Sequence, residues 1–162
     1  MVYLERMLSP LPVGFMRSRA GAILPAYCTG LGKTLLAFRP EEEVAAWAST
    51  QRFPPLTPNT ITSAKKLLKD LREIRERGYG LDIEEREKGV CCIAAPIRNH
   101  TGDVVAAISV AGPSQRMPKT LVGSDVAGAV VAAANAIAID LGFIERPVES
   151  YGAASTAHGG RR

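Results

Sequence analysis

Residues 89–113, GVCCIAAPIRNHTGDVVAAISVAGP, constrain the fold of this chain more than any other stretch. Two apolar runs flank Asn99-His100-Thr101-Gly102, the signature of a β-hairpin. With Arg98 placed opposite Asp103, Cys92 faces Ser109, Ala94 faces Ala107 and Pro96 faces Val105. Paired residues project to the same side of a sheet. Ala111 lies on that side too, so this face holds small side chains, one thiol and one hydroxyl. The other face carries Cys91, Ile93, Ala95, Ile97, Val104, Ala106, Ile108 and Val110. Both faces are apolar, so both need a cover. Small side chains leave either a close helix contact or a hollow. A hollow lined by Cys92 and Ser109 suits a small polar ligand. In a fully packed sheet, Cys92 is instead a small buried hydrophobe and Ser109 bonds a neighbouring carbonyl.

The covers are legible on either side of the hairpin. "MVYLERML" and "VGFMRS" read as short strands, with a turn at Gly21 after them. A helix from Gly30 to Phe38 follows. Another begins at Pro40, the first helical position, with Glu41, Glu42 and Glu43 complementing its dipole. Leu67, Leu68, Leu71 and Ile74 recur at helical spacing, with Thr62 or Ser63 as cap and Gly78 as stop. "YGLDI" is strand-like. "LVGSDVAGAVVAAANAIAIDLG" is a long Ala-rich helix with Gly142 past its end. This order gives an α+β fold, an antiparallel sheet covered by helices. A chain of 162 residues suits one domain, set at residues 1–146, and 147–162 read as a small, polar, disordered tail.

Residues 29–34, TGLGKT, end like a phosphate-binding loop, but the opening glycine position of that pattern is Tyr27. "AGAILPAYC", ahead of it, is short and broken by Pro25. The plainer reading is that Gly30 and Gly32 shape a helix start. The net charge of +4 permits an acidic partner such as DNA, yet basic and acidic residues are mixed. The densest cluster, "SAKKLLKDLREIRERG", reads as the solvated face of one helix. Cys28, Cys91 and Cys92 form neither a metal spacing nor a disulfide framework, so no metal or cofactor is expected. The run 126–139 is too weakly apolar for a membrane span. "MVYLERMLSP" has charges where a signal peptide needs an apolar core, so a cytoplasmic protein is expected.

"YCTGLGKTLLA", "GYGLDIEEREKGVCCIAAPIRNHTGDVVAAISVAGP" and "AANAIAIDLG" together resemble the effector-binding domain of the IclR family of transcriptional regulators, from about Val2 to Phe143. The resemblance implies a GAF/PAS-like curved antiparallel sheet of about six strands flanked by helices. It implies a domain that senses a small molecule, an organic or aromatic acid, and assembles as a homodimer or homotetramer. Operator DNA is bound through an N-terminal winged helix-turn-helix that this chain lacks. The family's pocket pattern falls on Gly30 and Leu31, whose amides meet a ligand carboxylate, on Asp82, Cys92 and Ser109, and on apolar Val13, Met16 and Val90. The second pocket serine of the family is Ala111 here, which suggests a larger or less polar ligand than a small keto acid. Asp82 either contacts the ligand or braces its loop.

Two other functions compete with sensing. One is an oligomerisation module with a vestigial pocket. The other is a thiol enzyme using Cys92, which needs a base in hydrogen-bond reach. The histidines, His100 at the hairpin tip and His158 in the tail, are poorly placed for that, so the chain is expected not to be an enzyme.

Overall fold

The computed structural model of the chain describes residues 1–9 and 19–144. After a 3₁₀ turn at Ala26–Cys28 come helices α1 (Gly30–Ala37), α2 (Glu41–Thr50) and α3 (Ala64–Arg77). Strands β1 (Gly80–Ile83), β2 (Val90–Arg98) and β3 (Val104–Pro113) follow, and helix α4 (Asp125–Asp140) closes the described chain. The strands form one antiparallel sheet in the order β1-β2-β3. No helix among the described residues is long and apolar enough to cross a membrane.

Local chemistry sets the helix ends. The Thr29 hydroxyl accepts from the Gly32 amide at 3.2 Å and donates to the Pro25 carbonyl at 2.9 Å, which starts α1. Ser63 and Ser124 cap α3 and α4 in the same way. Gly78, at φ +87°, stops α3. Pro40 stands one place earlier than expected, at the cap of α2 rather than inside it. Its extended ψ of 128° delays the helix to Glu41.

The hairpin forms, with a register two residues away from the expected one. Cys92 lies opposite Ala111, Ala94 opposite Ser109, Pro96 opposite Ala107 and Arg98 opposite Val104. The cause is the turn. Asn99 Oδ1 accepts from the amides of Thr101 and Asp103, both at 3.0 Å. Asn99 and Asp103 therefore close the loop, with Gly102 at φ +89°. A bulge between Ile97 and Arg98 then adds one more residue on β3. An even slip preserves the faces, so the division of side chains holds although the partners change.

Each face finds a cover. Ile93, Ala95, Ile97 and Cys91 pack on Ala127, Val130 and Ala134 of α4. Fully burying an Ile93-sized side chain contributes about 2 kcal/mol. On the other side lies α1, backed by α3 and α2 through Ala37, Val44, Leu67, Leu71 and Ile74. The face of small residues thus seats a helix. A Cβ on Gly30 would stand 3.0 Å from Cys92 Sγ, and one on Gly80 would stand 2.9 Å from the Gly30 carbonyl oxygen.

The N-terminal expectation needs correction. "MVYLERML" supplies only one isolated bridge, Val2 to Ile23, across the Gly21 turn. Backbone hydrogen bonds tie Met1 and Tyr3 to residues 21–24, and beyond them Leu4, Met7 and Leu8 are exposed. The expected strand at 13–18 lies outside the described residues, as does the tail at 147–162. Among the described residues the sheet has three strands, against the about six expected.

Candidate functional site at the start of helix α1

Asp82, Cys92 and Ala111 form one row across the sheet, and Gly80, Ala94 and Ser109 form the next. Both rows face α1. The first two helical amides, of Gly30 and Leu31, have no intrahelical acceptor. They stand where Gly30 meets Cys92 and Ala94. Gly30 is buried and Leu31 half-buried. Val90, half-buried, begins β2 on the same face. Gly30, Leu31, Asp82, Val90, Cys92, Ser109 and Ala111 are thus brought to one side of the sheet. Val13 and Met16 lie outside the described residues. Two surface clefts lie elsewhere. The larger, about 230 Å³, sits beside Phe38, Pro96 and Arg98 at the far end of α1.

Asp82 braces its loop. Its Oδ1 accepts from the Glu85 amide at 2.7 Å and the Arg86 amide at 3.4 Å. Burial nonetheless pushes its carboxyl up to about 6, with the amides and Lys33 pulling the other way. A raised folded value means that the folded state prefers the proton. Stability from this group is full below the ordinary carboxylate range and is lost as pH rises through about 6. Asp82→Asn keeps the acceptor and removes the charge. It is expected to gain about 1–2 kcal/mol at pH 8 and to flatten the pH 4–8 stability profile in urea melts.

Burial also governs the thiols. Cys92 is pushed up to about 12, with the Asp82 charge adding and the Ser109 hydroxyl opposing. Cys28 rises to about 11 for the same first reason, opposed by the Arg86 guanidinium. Neutral thiols are poor nucleophiles. Cys91 and Cys92 point to opposite faces, and all three cysteines are free and buried. Native protein at pH 8 is expected to leave a chromogenic disulfide reagent unreacted over minutes, and all three thiols should react in denaturant. Rapid native labelling of Cys92 would revive the nucleophile reading.

Lys33, the lysine of the phosphate-loop-like segment, is 1% exposed and is bound inside the protein. Its ammonium pairs with Asp70 at 2.9 Å and with Glu85. The Thr34 hydroxyl donates to the Gly30 and Ala94 carbonyls. Neither group is available to a phosphate or its metal. Sequence reasoning missed this network because Asp70 was assigned to a solvated helix face, and no local pattern links it to Glu85. Arg86 was missed too, although it neighbours Asp82 in the loop.

An antiparallel sheet with one helix start seated on a small, thiol- and hydroxyl-bearing face defines an α+β domain. The chain belongs to the IclR family: the model for the bacterial transcriptional regulator IclR C-terminal domain matches residues 1–139. It is 38% identical to the HTH-type transcriptional regulator KdgR of Escherichia coli over 132 residues, 82% of this chain and 50% of that protein. The crystal structure of Thermotoga maritima IclR superposes with TM-score 0.79 at 34% identity, over 88% of this chain and 57% of that one. A PobR inducer-binding domain from Acinetobacter, solved as a double mutant with 3-hydroxybenzoic acid, superposes with TM-score 0.70 at 30% identity, over 83% and 74% of the two chains. This chain spans about half the length of the curated relatives it matches. Those relatives are HTH-type transcriptional regulators.

Proposed function

We propose that this domain senses a small organic or aromatic acid, bound beside the contact between the start of α1 and the hairpin face. The observation that carries the reading is the Gly30 start of α1 resting on Cys92 and Ala94, in the two rows that also hold Asp82, Ala111 and Ser109. Helix-start amides favour an anion. Ser109 and Cys92 orient the rest of the ligand, and Val90 contributes apolar contact. With Ala111 where a second hydroxyl is expected, the site favours an aromatic acid over a small keto acid. The complex of the PobR relative with 3-hydroxybenzoic acid supports that class.

In the assembled regulator, operator DNA is contacted by a helix-turn-helix segment outside this chain, as the relatives' names imply for them. Assembly into a homodimer or homotetramer is part of the same reading. Thermal-shift measurements with benzoate, 3-hydroxybenzoate and pyruvate test the reading. A ligand at 100 times its Kd should stabilise by about 2.7 kcal/mol. The shift should shrink strongly in Ser109→Ala. A shift unchanged in Ser109→Ala would move the site off the hairpin face.

A further inference from the structure

The loop from β1 to β2 is held from two sides. The Thr57 and Thr60 hydroxyls donate to the Glu84 and Glu85 carbonyls, both at 2.6 Å. Asn59 Nδ2 donates to the Ile83 carbonyl at 3.1 Å. From the other side, Asp82 accepts the Glu85 and Arg86 amides, and the Glu85 carboxylate is tied to Lys33. Glu84 sits at φ +56°, the one non-glycine left-handed residue among those described. Such a conformation persists where its surroundings over-determine it.

This clamp fixes the backbone of Arg86 and directs two successive side chains to different partners. Glu85 turns to Lys33, while the Arg86 amide stays on Asp82 and its guanidinium charge favours the ionised forms of Cys28, Asp82 and Tyr27. Cys28 lies two residues before Gly30, and Asp82 lies opposite Cys92. Arg86 Nε is buried and has no hydrogen-bond acceptor. Among the described residues, no carboxylate lies within ion-pair distance of the guanidinium. A buried N–H on a cation is costly to leave unmet. The Arg86 backbone amide is held on Asp82, in the row with Cys92 on which the Gly30 end of α1 rests.

We propose that Arg86 is a specificity-determining residue, the cation that selects ligands bearing a carboxylate. The bound carboxylate supplies the missing acceptor beside the Gly30 and Leu31 amides. The guanidinium also offsets the Asp82 carboxylate, which on its own disfavours an acid. This inference rests on the reading of the domain as an acid sensor.

Isothermal titration of the full chain tests it with benzoate, 3-hydroxybenzoate and pyruvate, each beside its neutral primary amide. Wild type should prefer acid over amide by about tenfold to a hundredfold, the range of one charge-assisted hydrogen bond. Arg86→Gln should lower that ratio by about tenfold and leave the smaller preference that the helix-start amides give. Arg86→Lys, which keeps the charge and loses the planar donor fork, should retain part of it. Unchanged near-ultraviolet circular dichroism establishes that each variant is folded. If the acid-to-amide ratio of Arg86→Gln equals that of wild type, the role of Arg86 is overturned while the sensor reading stands. If no probe binds wild type, both are overturned for this ligand class.

Discussion

Gly32→Ala is expected to lower the midpoint of thermal unfolding by about 5–10 °C, against the sign that helix propensity alone gives. In an exposed helix the change gains about 1 kcal/mol. Gly32 is not in such a place. An added Cβ would stand 2.4 Å from Ala26 Cα and 2.6 Å from the Ala26 carbonyl oxygen. Both are backbone atoms of the 3₁₀ turn that leads into α1, so no side chain can swing aside. The helix start must move away from the turn, and with it the Thr29 cap and the Gly30 amides. Overpacking of this kind costs about 1–3 kcal/mol and occasionally more. Gly128 is the matched control. It lies in α4, exposed, with nothing within 4 Å of its added Cβ. Gly128→Ala should stabilise by about 0.5–1 kcal/mol. Calorimetry of the two variants, side by side, reads opposite signs from the same chemical change.

Lys33→Met is the second large effect, an expected loss of about 3–5 kcal/mol at pH 8. Methionine matches the length of the stem, so most packing remains. What disappears is the cation between Asp70 and Glu85. Glu85 is 8% exposed, and burial already pushes its carboxyl up to about 7 even with Lys33 beside it. Without Lys33 the group can enter the folded state only protonated or at a large desolvation cost. The sign of the pH dependence follows. The deficit should shrink as pH falls from 8 to 5, because protonation then relieves the uncompensated carboxylate. Glu85→Gln added to Lys33→Met should recover part of the loss at pH 8. An exposed pair gives the contrast: Lys69 and Glu73 stand 3.6 Å apart on the surface, and Lys69→Ala should change stability by less than about 0.5 kcal/mol. Urea melts at the two pH values check all of this.

Much of the fold was legible in local chemistry. The Asn99–Gly102 turn, the Ser63 cap, the Gly78 stop and the long Ala-rich helix each have a short-range cause, and each is present. The hairpin register was not legible, because it depends on where Asn99 closes the turn and on a bulge that no residue type announces. Its faces survived because the slip was even. At the site, two-residue periodicity placed Cys92, Ser109 and Ala111 together, and the family pattern added Gly30, Leu31, Asp82 and Val90. Lys33, Asp70 and Glu85 are separated by 37 and 15 positions along the chain. Their meeting is a tertiary fact, invisible to any window along the sequence. Lys33 shows the hazard well: the residue that made a phosphate loop plausible is the one most fully committed to the interior.

The most direct test of the account is an amide chemical-shift titration of ¹⁵N-labelled protein with 3-hydroxybenzoate. The account predicts that the largest perturbations fall on Gly30 and Leu31, with smaller ones at Asp82, Cys92 and Ser109. Perturbations centred on Phe38, Pro96 and Arg98, or none at saturating acid, would contradict it.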